Sequence, residues 1–164
     1  MPQDWSASRA FPDWEILEMR GFIGVVAAAM LVAGCQQKVE VKADAAWVRL
    51  PAVAGNPGVA YFTIHGGSEP ATLLAVSAPF AVRSEMHENM KGHDGMMSMA
   101  PLKQVAVAPK AEVKFAPGGN HVMLFDIAPT IQPGGKAPIR LSFADGETIE
   151  VPAVIIGAGD PEPK

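Results

Sequence analysis

The chain has 164 residues, with 13 Lys and Arg against 17 Asp and Glu and a formal net charge of −4. It carries no basic run, which excludes a nucleic-acid binder built on a positively charged face. Hydrophobic residues make up 49% of it, enough for a real core, and a single cysteine, Cys35, excludes a disulfide framework.

The first elements concern targeting. Residues 1–18 place Asp4, Asp13, Glu15 and Glu18 against one basic residue, Arg9, whereas the leading part of a secretory signal is basic. They read as a start-site overrun or a disordered extension, with Met19 as the expected start. From there "MRGFIGVVAAAMLVAGC" has Arg20, an apolar run from Phe22 to Val32, and small residues leading to Cys35. The run is too short for a permanent span, so residues 19–34 read as a signal peptide. Its end, "LVAGC", resembles the lipobox of bacterial lipoproteins, which implies cleavage before Cys35 and lipidation of that residue. A lipid-anchored protein on the periplasmic side of a bacterial membrane is therefore expected, and Gln36 points to outer-membrane sorting. With Cys35 consumed by lipid, the rest of the chain has no thiol for a disulfide or a metal.

Residues 35–44 read as a lipidated tether. Beyond it no 3.6-residue periodicity persists; short apolar or alternating runs recur between Pro, Gly and Asn. Strands are expected at Trp47–Leu50, Ala60–His65, Thr72–Ser77, Val82–Asn89, Met97–Leu102, Val113–Phe115, His121–Ile127, Ile139–Phe143 and Ile149–Ile155. The turn signals "GNPG", "GGSEP", "PGGN", "QPGGK" and "ADGE" separate them. Many short strands predict one all-β domain over residues 45–156, a sandwich or barrel. Residues 157–164, "GAGDPEPK", read as a disordered tail. Trp47 and Tyr61 are expected as core or end-cap aromatics, and His65 as a structural or surface residue.

The segment "MHENMKGHDGMMSM", residues 86–99, puts five methionines and two histidines in a glycine-broken stretch that is a poor candidate for burial. Asp94-Gly95 suits a two-residue hairpin turn, which would set Met90 opposite Met99 with His87 near the base. The second cluster is "PGGNHVML", residues 117–124: a turn, then a strand on which His121 and Met123 project from one face. Thioethers are soft neutral donors that favour Cu(I), and imidazole is compatible with copper. Zinc sites use thiolate, histidine and carboxylate instead. Neutral ligands hold copper without a thiolate's attraction, which describes a carrier better than a catalyst.

These motifs, with "AWVRLP", "AYFTIH" and "IRLSFADG", resemble the PCu(A)C-type periplasmic copper chaperones. The resemblance covers most of the chain after the tether and implies a cupredoxin-like Greek-key β-sandwich. It also implies Cu(I) bound by His87, Met99, His121 and Met123. The 21 residues between Met99 and His121 and the closing His-x-Met fit the family's pattern. Eleven residues separate His87 from Met99, one more than the pattern, so Met86 or Met90 stands as an alternative to His87. Met86, Met90 and His93 are candidate accessory donors. The family's role implies delivery of copper towards the binuclear site of cytochrome c oxidase subunit II, or exchange with a thioredoxin-like copper protein. No catalytic triad, carboxylate pair or phosphate loop is visible, and a non-enzyme is expected. Copper or silver sequestration at the same site, and a metal-free structural lipoprotein, are the alternatives.

Overall fold

The computed structural model describes residues 39–91 and 97–163. The expected extension, signal peptide and Cys35, the Asp94-Gly95 turn and His93 lie outside the described residues. Ten strands follow in chain order: β1 (Lys42–Arg49), β2 (Gly58–His65), β3 (Ala71–Ser77), β4 (Ala81–Lys91), β5 (Met97–Pro101), β6 (Val105–Val107), β7 (Glu112–Phe115), β8 (Asn120–Ile127), β9 (Lys136–Phe143) and β10 (Thr148–Ile156). All nine expected strands are present. β6, only three residues long, was too short to leave a readable pattern.

The hydrogen-bonded order is β5-β4-β8-β7-β2-β1-β10-β9-β3-β6, and the chain is an all-β, cupredoxin-like Greek-key sandwich. Alternation decides which face goes inward. On β2, Gly58, Ala60, Phe62 and Ile64 are buried; on β9, Ala137, Ile139, Leu141 and Phe143 are. Phe62 and Phe115 stack in the core with ring centroids 4.4 Å apart. β3 and β4 are consecutive in the chain but stand apart in the hydrogen-bonded order. Between them runs an open cleft of about 560 Å³ that Glu85 and His87 border.

Two segment boundaries differ from the sequence reading. β1 starts at Lys42, within the expected tether, because Lys42–Asp44 pair with Thr63–His65 before a β-bulge at Ala45 (φ 49°). The start of the expected tail is held. Arg49 Nη1 donates to the carbonyls of Ala158 (3.0 Å) and Asp160 (2.7 Å), and Asp160 Oδ2 accepts from the Gly157 N–H (2.6 Å). Arg49 also lies over Trp47, which packs against Tyr61 with the rings tilted by 35° and their centroids 4.3 Å apart. His65 is a half-exposed residue bonded to Asp44 (3.0 Å).

Candidate metal centre

The site is built on the face of β5, β4 and β8 that points away from the core. The register pairs His87 with His121 on one side and with Pro101 on the other; Glu85 pairs with Met123, and Asn89 with Met99. Because side chains alternate, His87, Met99, His121 and Met123 all belong to this one face. The imidazoles of His87 and His121 are near-parallel, 5.9 Å between centroids and 26° between planes. Met99 and Met123 are both diagonal neighbours of His87, within reach of a long side chain, but they flank it from opposite ends. Four residues of β4 separate their levels, about 13 Å along the strand. The structure therefore brings the two histidines together at the centre, with one flexible thioether on either side.

The hairpin register differs by one residue from the sequence expectation, since Met90 pairs with Ser98 and not with Met99. A one-residue slip turns every side chain to the other face. The expected register would have placed Met99 opposite Met90 and away from His87; the observed one puts it beside His87.

The same parity removes two other candidates from the site. Met86 pairs with Val122 and is buried in the core at 6% exposure, so it is packing and no substitute for His87. Met90 is exposed but alternates to Met86's face. His93 lies outside the described residues.

Local structure orients each imidazole. In the "PGGN" turn Gly118 takes φ 81°, a left-handed conformation that suits glycine, and the Gly119 N–H donates to the Ala116 carbonyl. The Gly119 carbonyl then accepts a hydrogen bond from His121 Nδ1 at 3.0 Å. A carbonyl can only accept, so the neutral ring carries its proton on Nδ1 and leaves the Nε2 lone pair for a metal. His121 is 6% exposed. His87 sets Nε2 3.3 Å from Glu85 Oε2, while its Nδ1 is buried with no hydrogen-bond partner among the described residues. A buried unpartnered nitrogen is unfavourable, and a metal would satisfy it. Two-residue alternation within the expected strand Val82–Asn89 already sets Glu85 on the face of His87, but the sequence does not show that its carboxylate bonds that ring. Met99 is 59% exposed, so the site has an open rim.

Two neutral imidazoles and two thioethers fit a soft monovalent ion. Among the described residues no group of three or more His, Cys, Asp and Glu is arranged to hold a metal. A third donor for an ion at the histidine pair would have to be a thioether.

The family described as "Putative lipoprotein LpqE-like" matches residues 41–155. The chain belongs to the LpqE-like family. A "Putative lipoprotein" of Leifsonia xyli subsp. xyli is 26% identical to this LpqE-like chain over 113 residues, 68% of this chain and 66% of that protein's length. The match thus spans slightly under two thirds of the relative. Among solved structures, the copper-bound PCuAC domain from PmoF2 matches with a TM-score of 0.59 at 21% identity, covering 74% of this chain and 99% of that one. The apo PCuAC domain from PmoF1 gives 0.58 at 24%, covering 74% and 97%. The CuI form of DR1885 from Deinococcus radiodurans, solved in solution, gives 0.52 at 23%, covering 78% and 85%. The LpqE-like chain shares the PCuAC fold.

Proposed function

We propose that this chain is a lipid-anchored, extracytoplasmic Cu(I) carrier, a chaperone and not an enzyme. One observation carries the reading: a single sheet face holds His87 beside His121, with Met99 and Met123 on its diagonals. The shared fold with domains solved bearing copper supports it, and the lipoprotein description of the family supports the anchor. Delivery runs towards the binuclear copper site of cytochrome c oxidase subunit II, directly or through a thioredoxin-like copper protein. Neutral donors on an open rim suit that role, because an acceptor offering thiolates can displace them one at a time.

The spacing of the methionines shapes the test. Either thioether can complete a three-donor set with the histidine pair, so Met99→Ala or Met123→Ala alone should weaken Cu(I) binding. The double variant should abolish the preference for Cu(I) over Zn(II) and Cu(II), because two imidazoles alone do not select the soft ion. Competition titration with a Cu(I) chelator measures this, and a preference that survives in the double variant overturns the ligand set. Transfer to an apo oxidase subunit separates a carrier from a sequestering protein, which would retain its metal.

A further inference from the structure

We propose that Glu85 is a positioning residue that sets which nitrogen of His87 meets the metal, and that Arg83 holds Glu85 in place. The inference rests on the reading of His87 as a ligand. Arg83, Glu85 and His87 occur at two-residue spacing on β4 and so share the face of the candidate site. Glu85 divides its two oxygens between its neighbours. Oε1 accepts from Arg83 Nη1, and Oε2 faces His87 Nε2 at 3.3 Å. Arg83 is itself fixed, because its guanidinium lies 3.7 Å from the ring centroid of Phe125, its cross-strand partner on β8. A chain of contacts thus runs Phe125, Arg83, Glu85, His87.

The chemistry of each group determines what this chain does. Near neutral pH Glu85 is a carboxylate, a group with no proton to give, so towards His87 Nε2 at 3.3 Å it can only accept. The neutral His87 ring opposite it then keeps its proton on Nε2 and presents the Nδ1 lone pair. Nδ1 is the buried ring atom with no partner among the described residues. His121 makes the opposite choice, since the Gly119 carbonyl takes its Nδ1 proton and leaves Nε2. The pair therefore offers Nδ1 from β4 and Nε2 from β8. This asymmetry is imposed by one side chain on one strand and by one backbone carbonyl on the other. A carboxylate behind a metal-bound imidazole also raises the ring's basicity and fixes its rotation.

The test uses the full chain and reads two quantities. Nitrogen-15 NMR of the apo protein should show His87 as a single Nε2–H tautomer in the wild type. In Glu85→Ala the ring shifts should move to those of exchanging forms. Glu85→Gln, whose amide oxygen still accepts, should restore much of the wild-type signal. Cu(I) competition titration should give about 10- to 100-fold weaker binding for Glu85→Ala, and no further loss when the change is made in a His87→Ala background. An Nδ1–H tautomer in the wild type overturns the proposal. So does a Glu85→Ala chain whose His87 ring signals and affinity match the wild type, or a loss that persists without His87. Near-UV circular dichroism confirms that each variant folds. If the wild type binds no Cu(I), the functional reading fails, while the apo-state NMR still decides whether Glu85 places the proton.

Discussion

At the scale of single residues, charge and hydrogen bonding outside the site give a test that is independent of copper. Glu112 accepts from Lys114 Nζ at 2.8 Å, and that hydrogen bond with the ammonium charge holds the Glu112 carboxyl below its usual range. A carboxylate whose folded-state pKa is depressed stabilises the fold fully above its unfolded-state value and loses that contribution as pH falls through the folded-state value. Both side chains are half exposed, so the contribution is small. Carbon-13 NMR titration should find Glu112 moving up towards an ordinary carboxylate in Lys114→Ala, with a flatter acid-side loss of stability. An unchanged titration would contradict the pair. At the proposed site protons would compete with Cu(I) for the two imidazoles and not for the thioethers.

At the scale of elements, the "PGGN" turn links conformation to chemistry. Gly118 (φ 81°) and Gly134 (φ 88°) are both left-handed, and a Cβ at either meets nothing within 4 Å. Alanine at either position therefore acts through the backbone alone, and each substitution should lower stability by about 1–2 kcal/mol in denaturant unfolding. Gly118→Ala should also weaken Cu(I) binding, because it disturbs the turn whose Gly119 carbonyl orients His121. Gly134→Ala, in the loop after the far end of β8, should leave binding intact. Equal effects on binding would separate the turn from the site. His121-x-Met123 was legible because two-residue alternation needs no tertiary information. The β4–β5 register was not, because glycines near the turn permit pairings that differ by one residue, and that one residue decides Met99's face. Met86 shows the converse: its sequence neighbours suggested a ligand, while its parity with Val122 made it core. Glu85 went unread because its role lies in an acceptor two residues from the ligand.

At the scale of the whole molecule, the sandwich works as a rigid mount. Its core strands carry alternating buried residues that fix register strongly, and that register sets β5, β4 and β8 side by side. The candidate donors thereby come from two separate chain segments, with both histidines shielded and Met99 at the rim. Such a layout suits the proposed carrier, which must hold a soft ion and give it up by exchange. X-ray absorption of the Cu(I)-loaded chain tests this most directly, because it counts the sulfur and nitrogen atoms around the metal. Both elements should appear in the inner shell, two imidazole nitrogens with at least one thioether sulfur. An inner shell of nitrogen and oxygen alone would contradict it.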